Sequence, residues 1–584
     1  MSTNIIGISS LFHDSGCCLI QDGILKAAAE EERFSRVKAD PTMPKKSLIY
    51  CLEAAGLTLP DIDCIAYYEK PEKKLARQLW SGVLSEADDV LDRLDPTRAE
   101  KQIRELIGYQ GPIRFYEHHQ SHAASSFFYS GFKEAAILTV DGVGEWATTT
   151  YGIGKNNQID LFEEVHFPDS IGLLYSTITS YLGFGVNDGE YKVMGLAPYG
   201  NARYTKEVRK LIIMQAGGQY RLDMNYFDFL KGERMYSDAI CALFGKPARQ
   251  TDLEIDQFHI DVAKSLQVVL EEILIEKAHY LYEKTGMENL CMAGGVALNC
   301  VANGKVLKQG PFKKLFVQPA SNDAGGCLGA AAMAYAEMTG NQPRIGKTEH
   351  VYLGPSYTNT EISKLLESTS IVYQDYRNNT EELLGEIARR LADGKVIGWF
   401  HGRMEFGPRS LGARSILANP MDPTMRDVIN SMVKKREGFR PFAPAVLETK
   451  AHEHFDLDHR SPFMLETCQV ISKLDLPAIT HVDGSARVQT VCAKTNPRFV
   501  ALLEAFEKLT GCPILLNTSF NVKGEPIVCT PEDALKCFIT TNIDCLILED
   551  FIIDRDMNIL DVLEWMINMD EAVPESTHNL YTFI

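Results

Sequence analysis

The chain has 584 residues, 45% of them hydrophobic and 23% charged, which excludes a disordered or fibrous protein and leaves ample material for a core. Lysine and arginine total 59 against 78 acidic residues, a formal net charge of −19, so a surface coated for DNA or RNA is not expected. A local basic pocket for a nucleotide remains compatible with that sign. The start, Met1–Gly7, shows no basic stretch leading into a long apolar run, so no secretory signal is expected. No segment reaches the roughly 18 apolar residues that span a bilayer. The 14 cysteines include no Cys-x-x-Cys pair, and reduced buried thiols in a cytoplasmic protein are expected rather than a disulfide framework.

In chain order, alternating and continuous apolar runs predict strands at Asn4–Ile8, Cys17–Ile20 and Ile24–Ala29. The polar turn Ser9–Ser15 between the first two carries His13 and Asp14. The same layout returns at Ala136–Val140, Thr148–Ile153 and Ile159–Glu164, with Asp141 in the first turn. This duplicated strand–Asp turn–strand–strand unit resembles the actin-like and sugar-kinase ATPase fold, where two such turns face each other across a phosphate. Two unrelated β-meanders would give the same pattern. Helices are predicted over Lys45–Ala55 and Phe258–Glu283, and strands Asn289–Met292 and Lys314–Val317 lead into the Gly-rich turns Ala293–Ala297 and Asp323–Gly326. The Gly/Pro/Asn-rich stretch Thr339–Lys347 reads as a domain boundary. A second α/β unit follows, with helix Thr380–Asp393, strand Val396–Phe400 and strand Pro513–Leu516, and an acidic helical segment from about Asp550.

Three of the chain's 14 histidines fall in His118–His122. On a helix, His118 and His122 stand at i and i+4 on one face and reach one cation, with His119 pointing elsewhere. Asp323 in its Gly-rich turn is the natural third ligand; two nitrogens and an oxygen suit iron, zinc or manganese. His13 either takes a proton from a hydroxyl nucleophile or orders its turn. The charge reverses sign between Arg403 and Arg440, where eight basic residues face four acidic ones. Guanidinium forks beside Gly407 and Gly412 suit an anion pocket. Asn517–Asn521, after a predicted strand, offers amide and hydroxyl groups at a strand end, where open α/β sheets bind ligands.

Together these stretches, with Glu30–Arg36, Glu190–Ala197, Phe439–Pro444 and Ser485–Thr490, resemble the O-carbamoyltransferases of the nodulation-protein type and of tobramycin and cephalosporin tailoring. The motifs run in order from His13 to Asn521. The resemblance implies an α/β protein with an actin-like duplicated domain for carbamoyl transfer at 1–345. A threonylcarbamoyl-AMP-synthase-like domain forming carbamoyl-adenylate would occupy 346–584. It implies ATP and carbamoyl phosphate as co-substrates, a divalent metal of the Fe2+ type, and Mg2+ as a compatible companion of ATP. His118, His122 and Asp323 would be metal ligands, His13 the general base, and Lys38 a group near the transferred carbamoyl. Asp141, Gly142, Gly294, Gly295, Val296 and Asn299 would line the adenylate. Arg409, Lys434 (or its neighbour Lys435), Arg440, Arg487, Asn517 and Ser519 would hold the triphosphate and carbamoyl phosphate. The acceptor would be a small-molecule hydroxyl, with no nucleic acid or membrane partner, and a homodimer would be in keeping with such folds. A sugar-kinase-like phosphotransferase and an enzyme related to tRNA threonylcarbamoylation are the competing readings. The loops Lys70–Gly111 and Asn201–Gln257 are expected to choose the acceptor.

Overall fold

The computed structural model describes residues 2–81, 94–230, 234–251, 253–341, 343, 346–434 and 438–558. The chain forms two compact units: residues 2–31 and 39–348 in the first, residues 32–38 and 349–558 in the second. The division between Thr348 and Glu349 lies close to the Gly/Pro/Asn-rich stretch, whereas the early excursion at 32–38 left no signal in the composition. It follows from two arginines. Buried Arg33 donates to the Gly407 carbonyl (2.9 Å), and Arg36 donates to the carbonyls of Ile527 (2.7 Å) and Pro526 (2.9 Å), all in the second unit.

The first unit holds two five-stranded sheets of one topology. Strands β1 (Asn4–Ser9), β2 (Gly16–Gln21), β3 (Ile24–Glu30), β4 (Cys64–Tyr67) and β5 (Ile113–Phe115) are ordered β3-β2-β1-β4-β5. Strands β6 (Glu134–Val140), β7 (Ala147–Lys155) and β8 (Gln158–His166) follow. After a small antiparallel pair, β9 (Ile212–Met214) and β10 (Tyr220–Leu222), come β11 (Asn289–Ala293) and β12 (Lys314–Val317). The second large sheet runs β8-β7-β6-β11-β12, the same order as the first. In each, three antiparallel strands carry two further parallel ones. The central strands β1 and β6 are buried nearly throughout, as continuous apolar runs require when both faces are covered. Their following turns carry His13–Asp14 and Asp141.

Two helices fix the site between these turns. The helix His118–Ser130 begins in a capping box between Glu117 and Gln120 and ends at Gly131 in the left-handed region; Gln120 alone of its residues is not buried. The helix Gly326–Thr339 packs against it so closely that a Cβ on Gly329 would lie 1.8 Å from the Ser121 carbonyl oxygen. That close approach brings Asp323, in the short turn ahead of the second helix, to the face bearing His118 and His122.

The second unit is built on an eight-stranded mixed sheet. Its strands are β13 (Gln374–Asp375), β14 (Ile397–Phe400), β15 (Arg414–Ala418), β16 (Ala443–Leu447), β19 (Gln489–Val491), β20 (Ile514–Ser519), β21 (Cys545–Leu548) and β22 (Phe551–Asp554). Their order is β13-β22-β21-β14-β15-β20-β16-β19, and a separate antiparallel pair joins β17 (Cys468–Gln469) to β18 (Ser485–Ala486). Trp399, Leu502, Leu515 and Leu546 lie in one buried core, with the helices Thr380–Ala392 and Pro497–Thr510 packed together. The helical segment expected from Asp550 is corrected over its first residues. Phe551–Asp554 is strand β22, paired antiparallel with β21, because two adjacent isoleucines after Phe551 suit a buried strand better than a helix. The rest of that segment, from 559, lies outside the described residues. No described helix is long and apolar enough to cross a membrane, and all 14 cysteines are free thiols.

Candidate functional site

The densest chemical cluster in the first unit is made by His118, His122, Asp141 and Asp323. All four are buried, and one ligand atom from each lies within 4.8 Å of the others. The two Nε2 atoms are 3.0 Å apart, so neutral rings can place only one proton between them. Asp141 Oδ2 is 3.1 Å from His118 Nε2 and 3.7 Å from His122 Nε2. Asp323 Oδ1 lies 3.6 and 3.8 Å from the same atoms. Buried Asp323 Oδ2 has no hydrogen-bond partner, nor does His122 Nδ1. Two carboxylates and two imidazole nitrogens converging without enough protons are the donor set of a divalent transition metal. The residues present therefore fit the metal implied by the resemblance. The turn after β6 adds Asp141, which the resemblance places at the adenylate. Its signal was visible: Asp141 occupies in the second repeat the place of Asp14 in the first.

Supporting groups hold these ligands. Glu145 accepts from the His118 backbone N–H at 2.9 Å and from the Lys70 N–H at 2.7 Å, anchoring the helix start with a carboxylate. His119 Nδ1 lies 2.6 Å from Thr139 Oγ1; burial, with His118 and His122 beside it, holds its pKa well below the ordinary imidazole range. Burial alone would raise Asp141, but the hydrogen-bonding histidines outweigh it and hold its pKa well below the usual carboxylate range. Burial raises Asp323.

His13 sits at the rim of this cluster. Its Nδ1 is 3.0 Å from Asp14 Oδ2, and its Nε2 is 3.9 Å from Asp323 Oδ2. Burial tends to lower its pKa, yet Asp323, Asp14 and Asp141 overcome that and raise it to about 9. Asp14, in the left-handed region at φ 52°, turns its carboxylate back on the imidazole.

The Gly-rich turn after β11 joins the same place. The Gly295 N–H donates to Asp141 Oδ1 at 2.8 Å. Gly294 has φ 93°, and a Cβ there would lie 2.3 Å from the Val140 carbonyl oxygen, so only glycine lets the turn approach β6. Val296 is half-buried in the short turn Gly295–Leu298, and the Gly142 carbonyl accepts from Ser170 Oγ at 2.6 Å. Asn299 is more deeply engaged than a surface ligand group. Its Oδ1 caps the helix Cys300–Gln309 by accepting from the Ala302 N–H (3.0 Å), and its amide donates to Gln267 (2.9 Å). We predict that Asn299→Ala lowers stability by about 1 kcal/mol, the usual value of a lost N-cap, read by urea unfolding.

In the second unit the basic stretch divides. Arg403 donates to the carbonyls of Leu353 (2.7 Å) and Gly354 (3.1 Å). Arg414, fully buried, donates to the carbonyls of Gly402 (3.0 Å), Ala413 (3.1 Å) and Pro355 (3.1 Å), and its guanidinium lies 3.6 Å from the Phe400 ring centre. Arg426 is half-buried, 3.7 Å from Asp427. Two of these three satisfy loop carbonyls and the third lies beside a carboxylate, which narrows the expected anion pocket. Arg409, Arg440 and Arg487 are all half-buried in loops. Lys434 ends the short turn Asn430–Lys434; its side chain and Lys435 lie outside the described residues. Buried Asn517 donates to Gln489 Oε1 at 2.8 Å, and Ser519 donates to Asn521 Oδ1 at 2.7 Å, both from the end of β20. The loop of Arg409 is organised by Glu405, whose Oε1 accepts from the N–H groups of Leu411 (2.6 Å) and Ala413 (2.8 Å). Glu405 has no role among the sequence expectations beyond being one of the four acidic residues of Arg403–Arg440; its place inside a basic, Gly-rich run is its signal. Lys38, half-buried, belongs to the second unit.

The family model "Carbamoyltransferase N-terminus" matches residues 4–332, and "Carbamoyltransferase C-terminus" matches residues 388–555. An uncharacterized protein of Synechocystis sp. is 46% identical, with 95% of this chain and 97% of that one covered. The nodulation protein NolNO of Sinorhizobium fredii is 40% identical, with 94% of this chain and 80% of its own length covered. Among solved structures there is a distant likeness to the ROK hexokinase of Thermus thermophilus: TM-score 0.28, 14% identity, covering 58% of this chain and 100% of that one.

Proposed function

The chain belongs to the carbamoyltransferase family, and on that premise we propose that it makes and uses carbamoyl-adenylate to carbamoylate the hydroxyl of a small molecule. In this reading the first unit is an actin-like duplicated transfer domain, and the second is a threonylcarbamoyl-AMP-synthase-like domain. The second unit takes carbamoyl phosphate and ATP. Water cleaves carbamoyl phosphate to carbamate and phosphate, the carbamate oxygen attacks the α-phosphorus of ATP, and pyrophosphate departs. Arg409, Arg440, Arg487 and the Lys434 ammonium bind the phosphates and offset their mutual repulsion, while Asn517 and Ser519 present polar groups from the end of β20.

In the first unit the acceptor oxygen attacks the carbamoyl carbon and AMP leaves. His118, His122, Asp323 and Asp141 would hold a divalent metal, of Fe2+ type in this reading. When bound, such an ion supplies Lewis-acid stabilisation of the phosphate. His13 takes the acceptor's proton. A cation held by Asp141 and Asp323 would offset carboxylates that raise the pKa of His13, favouring the unprotonated ring that acts as a base. Gly294, Gly295 and Val296 line the adenylate with the Gly142 turn, and burial of the cluster keeps water from the reactive anhydride.

The observation that carries this reading is the convergence of two imidazoles and two carboxylates within 4.8 Å in the unit matched by the N-terminal family model. A screen of hydroxylated metabolites for a carbamoyl mass gain tests it. The gain is expected only when ATP and carbamoyl phosphate are both present. Carbamoylation without ATP would overturn the adenylate route.

A further inference from the structure

Tyr68 follows the last residue of β4, and its backbone N–H donates to the Ile8 carbonyl at 3.1 Å, extending the pairing of β4 with β1. Its side chain is fully buried. The two segments that carry the candidate metal ligands enclose the ring. On one side the His118 ring centre lies 5.2 Å away, and Ser121 Oγ of the same helix donates to the Tyr68 carbonyl at 2.9 Å. On the other side is the turn that begins with Asp323. A Cβ on Gly326 would come within 2.7 Å of Tyr68 Cδ2, so the ring lies directly against that turn.

Other buried tyrosines of the first unit have satisfied hydroxyls. Tyr67, one residue earlier, donates to the Ser10 carbonyl at 2.9 Å. Tyr129, Tyr151 and Tyr181 donate to the carbonyls of Leu328 (3.0 Å), Gly218 (2.6 Å) and Lys246 (2.7 Å). The Tyr68 hydroxyl, buried as deeply, has no hydrogen-bond partner among the described residues. Buried polar groups are ordinarily paired, and an exception beside a reaction site calls for a ligand, an ion or a water. Burial, then the carboxylates of Glu69 and Asp323, push its pKa above the ordinary phenol range. The hydroxyl is therefore a donor within the field of the metal-ligand cluster. Of the groups that the two-step reading brings there, the adenylate phosphate is the anionic acceptor, and its charge grows as AMP leaves.

We propose that the Tyr68 hydroxyl donates a hydrogen bond to a phosphate oxygen of the nucleotide held in the first unit, stabilising AMP as the leaving group. The proposal rests on the carbamoyl-adenylate reading for the presence of that phosphate. The acceptor oxygen forms the new bond to the carbamoyl carbon, and its proton passes to His13. The bond from that carbon to the phosphate oxygen breaks, and its electron pair departs with AMP. Tyr68 keeps its proton throughout.

Tyr68→Phe removes the hydroxyl and keeps the ring against His118 and Gly326. Binding of AMP and of adenosine is measured by calorimetry on the full Fe2+-loaded chain without oxygen. An Arg440→Ala background weakens the phosphate site proposed for the second unit. AMP affinity is expected to fall about tenfold or more in Tyr68→Phe, the scale of a hydrogen bond to a charged group, while adenosine affinity stays unchanged. Bound metal and the unfolding temperature of the nucleotide-free protein should hold, because no hydrogen bond within the protein is lost. Unchanged AMP affinity, a loss shared equally by AMP and adenosine, or a lowered unfolding temperature each overturns the proposal. If the protein with Tyr68 intact binds AMP no more tightly than adenosine, the first-unit adenylate reading fails and the proposal with it. AMP binding that is tight but indifferent to Tyr68→Phe overturns the proposal alone.

Discussion

Replacing His122 with alanine is expected to strip bound metal and stop carbamoyl transfer while carbamoyl-adenylate formation continues. His122 Nε2 lies 3.0 Å from His118 Nε2 and within 3.8 Å of both Asp141 and Asp323, so its loss removes one of four converging donors. Losing an outer partner of a metal ligand costs roughly 10–100-fold, and removal of the ligand itself should exceed that. The remaining imidazole and two carboxylates form an acidic cluster with a poorer grip on a soft divalent ion. The described polar side-chain partners of His122, namely His118, Asp141 and Asp323, all belong to the first unit. Metal content by elemental analysis and nucleotide products by chromatography read the two effects separately. Equal loss of both half-reactions in a variant that keeps its unfolding temperature would contradict the division of labour. His122→Asn, smaller in its effect on packing, guards against a misfolded alanine variant.

The complementary result is expected for Arg440→Ala. Adenylate formation should fall about 10²–10³-fold, the scale on which one preorganised group stabilising transition-state charge acts. Transfer from supplied carbamoyl-adenylate should persist, because the proposed metal ligands and His13 all lie in the first unit. Arg403→Ala serves as the comparison. That guanidinium is bonded to the Leu353 and Gly354 carbonyls, so its removal should lower the unfolding temperature more than it lowers phosphate affinity. If Arg440→Ala and Arg403→Ala change adenylate formation alike, the basic stretch acts through loop structure and not through phosphate binding.

The contrast between those arginines shows what the sequence could carry. Strand periodicity located β1 to β3 and β6 to β8 within two residues at each end, because continuous apolar runs and Asp/Gly/Asn turns are local signals. The i, i+4 spacing of His118 and His122 likewise needed only a helix. Partners distant in sequence were less legible. That Asp141 joins His118 and His122 is not legible locally, because nothing local says that its turn and the helix His118–Ser130 meet. Arg403, Arg409 and Arg414 look alike in sequence. Only the fold shows that two of them satisfy backbone carbonyls. The excursion of residues 32–38 was hidden for the same reason, since Arg33 and Arg36 find acceptors hundreds of residues away. Likewise Phe551–Asp554 is strand because β21 lies beside it.

The central claim is that one chain proceeds through carbamoyl-adenylate. Quenching the unaltered protein with ATP and carbamoyl phosphate, without acceptor, and identifying the nucleotide by mass spectrometry tests it most directly. Carbamoyl-adenylate, with AMP from its hydrolysis and pyrophosphate released in step, is the predicted result. ADP as the nucleotide product would contradict it and favour a phosphotransferase.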